Sequence, residues 1–300
     1  MRVQVLVNRA AGVKAGQAER EAAAIRRGLQ ERGIDADVRE VPPERFREAA
    51  REAAREEGDA LVVGGGDGTV SAGASAVVGT GRALGILPLG TLNHFARDLR
   101  IPLDLPGALD VVAAGNVRGV DVGQAGDRLF VNNASMGLYP RAVEDRERIR
   151  ASEDVGRWRA MARAMVGAAR NRPLLRVTLR MMDGSVRLTT PLVFIGNNRY
   201  EMRLFAMGRR QAVDAGELWL YVAKDGGHLG LLGLATRALL GRLDQSHDFL
   251  GLSVTEVEVE DRRRVSRVAF DGEVCEVPSP LVYRVRPRAL RVLAPPDGPG

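Results

Sequence analysis

The chain has 300 residues and a formal net charge of +6, with arginine supplying nearly all of the positive charge. Its 45% hydrophobic content can fill one large core or two ordinary ones, and no apolar run reaches the length of a bilayer span. The single cysteine, Cys275, excludes an internal disulfide and a cysteine-built zinc site, which fits a cytoplasmic setting. Basic surfaces attract nucleic acid, anionic membranes and phosphorylated ligands alike. Aromatic residues make up only 4%, with no aromatic-plus-basic pattern suited to stacking bases, so no nucleic-acid partner is expected.

In chain order, Arg2 to Asn8 alternates as a strand and lacks the long apolar region and cleavage site of a signal peptide. A loop from Arg9 to Gly16 follows. Gln17 to Arg32 reads as a helix, with Ala22, Ile25 and Leu29 as its apolar positions and Gly33 as its stop. Asp35 to Val41 is a short strand closed by Pro42-Pro43, and Glu44 to Glu57 is a helix ended by Gly58. Ala60 to Val63 is a fully buried strand. It runs into Gly64-Gly65-Gly66-Asp67-Gly68-Thr69, after which Val70-Ser71 continues towards a helix. A glycine-rich strand-to-helix turn aims backbone N–H groups beyond the strand, where phosphate is the usual guest. Asp67 would repel phosphate unless a cation lies between them, which suggests Mg²⁺ carried in with a nucleotide. A plain tight turn in an α/β sheet is the lesser, alternative reading of these residues alone.

Ala83 to Leu87 is another buried strand. It leads into Pro88-Leu89-Gly90-Thr91-Leu92-Asn93-His94-Phe95-Ala96-Arg97, where Thr91 or Asn93 can cap a short helix or donate to a phosphate. Leu103 to Ala114 reads as one more helix. Strands alternating with helices imply a mostly parallel sheet covered on both faces, with ligands at the carboxyl ends of its strands. From about Arg118, short β-like runs dominate and suggest an antiparallel sandwich or barrel-like second domain. They cover Gly119 to Gly123, Arg128 to Ala134, Leu174 to Met181, Ser185 to Phe194, Glu217 to Val222, Thr255 to Val259, Val265 to Phe270 and Leu281 to Val285. One long helix, about Glu153 to Asn171, interrupts them. It and the leucine-rich stretch Leu229 to Leu243 offer either packing faces or a route to a membrane surface.

Three stretches together resemble the catalytic domain shared by diacylglycerol kinases, sphingosine kinases and bacterial lipid kinases. They are Gly65-Gly66-Asp67-Gly68-Thr69, the run from Leu87 to Arg97, and Phe270-Asp271-Gly272-Glu273. Asp121-Val122-Gly123 and Asn132-Asn133-Ala134-Ser135-Met136-Gly137 look like two further family segments. The resemblance implies a Rossmann-like α/β nucleotide-binding domain over residues 1–123, to which a strand at about 288–294 returns. A β-rich, sandwich-like antiparallel domain for the lipid would span residues 124–287. It also implies ATP and Mg²⁺ as cofactors, a lipid substrate at a membrane surface, and peripheral association with the inner face of that membrane. Sheet edges in the second domain leave a homodimer open.

Phosphoryl transfer needs positioning and charge neutralisation more than covalent chemistry. The expected ATP-binding set is Asn8, Gly65, Gly66, Asp67, Gly68, Thr69, Val70, Ser71, Thr91 and Asn93. Lys14 can reach a phosphate or remain a solvated loop lysine. The resemblance assigns Glu273 as general base, with Asp271 beside it and Asp67 organising Mg²⁺. On its own, Asp271-Gly272 reads as a hairpin turn. The family's structural Mg²⁺ site matches Val213-Asp214-Ala215-Gly216-Glu217, where Ala215 stands in place of the second aspartate and leaves Asp214 for the metal. Arg9 likewise replaces a customary proline, and Asn197-Asn198-Arg199-Tyr200-Glu201-Met202 carries bulk where a glycine-rich run is usual. Two rival readings stand beside the lipid kinase. An NAD kinase-like soluble kinase would normally show an Asn-Glu pair, which this chain lacks. A catalytically silent nucleotide- or lipid-binding module would bind without turnover.

Overall fold

The computed structural model describes residues 1–9, 17–137, 140, 174–200, 210, 212–224 and 249–296. The loop bearing Lys14, the helix expected at Glu153 to Asn171 and the leucine-rich stretch Leu229 to Leu243 lie outside them. The chain divides into two compact units, one of residues 1–122 and 287–300, the other of residues 123–286. Among the described residues, no helix is long and apolar enough to cross a membrane.

In the first unit, β1 (Arg2–Asn8) lies between the edge strand β2 (Asp35–Val41) and β3 (Ala60–Gly65) and is parallel to both. Next to β3 lies β4 (Ala83–Pro88), also parallel. The end of β16 (Leu281–Leu293) then adds to β4 in parallel, with Val292 opposite Leu84. The central strands read as continuous apolar runs because both faces are covered: Val5, Leu6, Val7, Leu61, Val62, Val63, Leu84 and Leu87 are fully buried. α1 (Gln17–Glu31) packs with α5 (Leu105–Ala114), and α2 (Phe46–Ala53) packs with α3 (Asp67–Val77). Asp104 caps α5 by accepting from Gly107 N at 2.9 Å, and Gly115 ends it in the left-handed conformation.

The helix expected over Glu44 to Glu57 is shorter, a 3₁₀ turn at Pro43–Arg45 followed by α2. Its open end is closed by tertiary structure. The Arg82 guanidinium donates to Ala53 O at 2.6 Å, to Glu56 O at 2.7 Å and to Ala60 O at 3.2 Å. Ala53 O belongs to the last turn of α2, which has no donor for it within the helix; Glu56 O lies in the turn beyond, and Ala60 O at the start of β3. Burial lowers the Arg82 pKa, opposed by the nearby Glu56 and Asp59 charges. Arg82→Met is expected to lower stability by about 2 kcal/mol, measured by denaturant melts, because three carbonyls lose a charged donor. An unchanged midpoint would show that water replaces the guanidinium without cost.

The second unit holds two antiparallel sheets. One has the order β12 (Phe249–Val254), β11 (Leu218–Ala223), β10 (Leu192–Asn197), β7 (Asn133–Gly137), β14 (Val265–Phe270), β15 (Glu273–Pro278). In the other, the start of β16 pairs with β13 (Glu256–Asp261), which pairs with β8 (Leu175–Met181), which pairs with β9 (Gly184–Thr190). Alternate residues of both sheets meet in one core: Ala134, Met136, Val193, Ile195, Leu220 and Phe270 with Val177, Leu179, Val257, Val259 and Tyr283. The architecture therefore comprises an α/β unit with a parallel sheet and a separate antiparallel sandwich-like unit. Two strands escape the sequence pattern. β12 is mostly exposed, with Leu250 and Leu252 on the surface, and β15 is an edge strand with a mixed burial pattern. Neither shows the clean alternation of a half-buried strand.

Candidate active site

In the first unit the site is built where β1, β3 and β4 end. β3 extends through Gly65, and Gly66 is the N-cap of α3, with φ −92° and ψ −171°. α3 therefore starts at Asp67 rather than near Val70. The amides of Asp67, Gly68 and Thr69 fall in its first turn, where the helix has no carbonyl to offer them. The helix N-terminus also carries partial positive charge. The Val70 N–H is different: it donates to Gly66 O at 3.0 Å and belongs to the helix ladder. Val70 and Ser71 are buried in the body of the first unit. The amide donors expected from Val70 onward are thus used by the helix itself.

Asn8, at the end of β1, donates from Nδ2 to Thr69 Oγ1 at 2.9 Å. That contact ties the end of β1 to the first turn of α3. It also explains Gly65: a Cβ there would lie 2.4 Å from Thr69 Oγ1. The loop after β4 closes on the same turn. Gly90 stacks on Gly66 so closely that a Cβ at Gly90 would fall 2.4 Å from Gly66 Cα. The Asp67 carboxylate accepts from Phe95 N at 3.3 Å, in the first turn of α4 (His94–Asp98). Asp67 is half-buried and Gly68 exposed, so the start of α3 reaches the surface, with Thr69 buried behind it.

Asn93 takes another role than the one its motif suggested. It sits at the N-cap of α4 in the left-handed conformation, φ 51°, and makes no cap bond to the helix. Its amide donates to Pro88 O at 3.2 Å and Gly90 O at 2.8 Å, and its Oδ1 accepts from Gly90 N at 3.1 Å. It is buried, so its donors serve the loop. Thr91 is exposed in the same loop.

In the second unit, Asp271-Gly272 joins β14 to β15 as a two-residue hairpin, with Phe270 opposite Glu273. Both central residues have positive φ, 48° and 87°, the signature of the turn type that Asp-Gly favours. The hairpin reading and the motif reading are thus compatible. The turn leaves Glu273 exposed at the first position of β15. The Asp271 carboxylate is directed elsewhere: Oδ2 accepts from Val131 N at 2.9 Å, and Oδ1 from Asn132 N at 2.8 Å and Asn133 N at 3.1 Å. Asp271 N donates to Asn133 O at 2.9 Å. An anion held by several backbone amides is a fixed structural element.

The Asp214 loop is held by Asn198, whose Oδ1 accepts from Ala215 N at 3.0 Å and whose N–H donates to Glu217 O at 3.0 Å. The Glu217 carboxylate accepts from Trp219 Nε1 at 2.6 Å and from Ser253 Oγ. Among the described residues, no three His, Cys, Asp or Glu side chains gather to hold a metal. With Ala215 in place of a second aspartate, the described residues do not fit a structural Mg²⁺ there. Asp67 does fit a cation that arrives with phosphate oxygens, since Mg²⁺ typically takes one or two carboxylates and keeps water and phosphate as its other ligands. Asp121, the polar residue of its family segment, is buried on β5 (Val117–Ala125) and accepts from Arg288 N at 2.8 Å.

The diacylglycerol kinase catalytic domain matches residues 2–125. An uncharacterized protein of Synechocystis sp. (strain PCC 6803) is 29% identical over 82% of this chain and 57% of its own length. The diacylglycerol kinase of Staphylococcus aureus is 40% identical over 29% of this chain and 29% of its own length. The chain thus spans little more than half, or less, of these relatives. A diacylglycerol kinase crystal structure from Bacillus anthracis superposes with a TM-score of 0.72 at 19% identity, covering 98% of this chain and 97% of that one. At that identity the likeness concerns the fold.

Proposed function

We propose, from the match of residues 2–125 to the diacylglycerol kinase catalytic domain, that the chain is an ATP- and Mg²⁺-dependent lipid kinase. Its acceptor would be a lipid hydroxyl of the diacylglycerol type at a membrane surface. The observation that carries this reading is the start of α3. There Gly66 caps the helix, the amides of Asp67, Gly68 and Thr69 open its first turn, and Asp67 is half-buried beside them.

Each residue then has a task. The first-turn amides and the helix dipole hold phosphate oxygens. Asn8 holds the Thr69 hydroxyl in place. Asp67 would hold the Mg²⁺ that accompanies ATP, and that ion would supply charge neutralisation at the transferring phosphoryl group. Glu273, exposed on β15, takes the proton of the lipid hydroxyl. The alkoxide oxygen bonds to the γ-phosphorus, the bond from that phosphorus to the β–γ bridging oxygen breaks, and ADP leaves. Asp271 fixes the hairpin that presents Glu273. Asn93 shapes the Gly90 loop.

The test is transfer of labelled phosphate from ATP to diacylglycerol, monoacylglycerol, a sphingoid base, phosphatidylglycerol and a polyprenol in mixed micelles with Mg²⁺, with NAD as a soluble control. Labelled lipid in the parent and a loss of at least about a hundredfold in Asp67→Asn are expected, as for removal of a transition-state charge ligand. Labelled NAD alone would assign a soluble kinase instead. ATP binding without any labelled product would point to a binding module.

A further inference from the structure

Behind the hairpin lies a buried cation. Arg210 is 7% exposed. Its Nη1 donates to Val131 O at 2.6 Å and Asn197 O at 3.2 Å, and its Nη2 to Asn132 Oδ1 at 3.4 Å. The guanidinium lies 5.7 Å from the centre of the Tyr200 ring. Tyr200 is itself buried, its hydroxyl donating to Asn132 O at 3.0 Å. Arginine is rarely this buried without a specific task.

The task becomes visible from the other end of the same peptides. The Val131–Asn132 peptide offers its carbonyl to Arg210 and to Asn197 Nδ2, and its N–H to Asp271 Oδ1. The Asn132–Asn133 peptide offers its carbonyl to the Tyr200 hydroxyl and to Asn197 N, and its N–H also to Asp271 Oδ1. A cation thus sits at the negative end of a peptide dipole and an anion at its positive end. Both charges favour that orientation, and chains of hydrogen bonds in a low-dielectric interior polarise one another. Glu273 is two residues beyond the anion, across a turn whose two residues both have positive φ.

We propose that Arg210 is a positioning residue for Glu273. It acts through the Val131–Asn133 backbone on Asp271, so that the two buried charges clamp one peptide segment and hold the hairpin that presents the base. This inference rests on the proposed role of Glu273.

The test compares the full chain with Arg210→Lys, Arg210→Met, Glu273→Gln and the double variant Arg210→Lys/Glu273→Gln. Lipid phosphorylation kinetics and amide hydrogen exchange at residues 131–133 and 271 would be measured for each. A lysine keeps the charge, but its compact ammonium lacks the planar fork that reaches two backbone carbonyls and Asn132 at once. Arg210→Lys is expected to lower kcat by about tenfold or more, since small misplacements of a catalytic group cost up to about a hundredfold. The KM for ATP should stay unchanged, exchange at Asn132 and Asn133 should quicken, and the double variant should be no slower than Glu273→Gln alone. Parental kcat in a folded Arg210→Lys chain would overturn the proposal. So would a defect that multiplies with that of Glu273→Gln, or one that appears equally in KM for ATP. If Arg210→Met does not fold, Arg210→Lys still decides. Should the parent phosphorylate no lipid, the proposed reaction falls by itself. Exchange then judges the clamp: faster exchange in Arg210→Lys supports it and unchanged exchange overturns it.

Discussion

Glu273→Gln is expected to lower the rate of lipid phosphorylation by about 10²- to 10⁴-fold, the usual contribution of a positioned general base. Fold stability and ATP affinity should stay at parental values. Glu273 is exposed, so the substitution removes no buried charge. Its backbone pairs with Phe270, and the turn before it is set by Asp271 and Gly272, neither of which changes. The glutamine amide has nearly the carboxylate's shape but cannot take a proton at neutral pH. Steady-state phosphorylation in mixed micelles, with ATP binding measured separately, tests this. A variant that binds ATP and still turns over at more than about a tenth of the parental rate would remove Glu273 from the role of base, since a working base accounts for more than that.

Gly90→Ala is expected to weaken ATP binding by more than about tenfold and to cost about 1–3 kcal/mol of stability, as overpacking in a close-packed region does. The new Cβ would meet the Gly66 Cα at 2.4 Å, the Asn93 Oδ1 at 2.7 Å and the Gly66 N at 3.1 Å. Two of these three atoms are backbone, so relief cannot come from a side-chain rotation. Gly66 is the N-cap of α3, and pushing it away turns the first-turn amides off their line. The Asn93 contacts to Pro88 and Gly90 would also be disturbed. Isothermal titration with ATP and Mg²⁺, alongside a thermal melt, separates the two effects. Parental affinity together with a lowered melting temperature would mean that the amides of α3 are not what holds the nucleotide.

Much of the architecture is legible from residues alone, and the reason is burial. β1, β3 and β4 are covered on both faces, so their sequences are unbroken apolar runs that admit few alternatives. Gly33 and Gly115, both at positive φ, mark helix ends where an L side chain would be strained. Asp271-Gly272 could be read as a hairpin because both residues tolerate positive φ. The α/β unit and the antiparallel unit follow from these local signals. What local signals leave open is β12, with surface leucines and no alternation, and β15, whose pairing to β14 is defined by the turn rather than by its own pattern.

The site divides along the same line. The residue types at Gly65, Gly66, Asp67 and Glu273 carry chemistry that a sequence can announce, since glycine permits close backbone approach and a carboxylate binds Mg²⁺ or accepts a proton. Which donors remain open is decided by the fold. The helix ladder uses the Val70 amide. The Gly90 loop uses both ends of the Asn93 amide. Backbone amides of residues 131–133 hold Asp271, although its neighbour in the motif stays exposed. Arg210 gives no sign of itself in sequence, because an arginine in a polar run reads as a solvated side chain. Its role exists only where β7, β10 and the β14–β15 hairpin meet, since hydrogen bonds to distant carbonyls depend on strand pairing and not on sequence neighbours. Residue pattern alone specified the doubly covered strands, the Asp-Gly turn and the reactive residue types, but not β12 or β15. The tertiary structure decided which of those groups face a ligand and which hold the others in place.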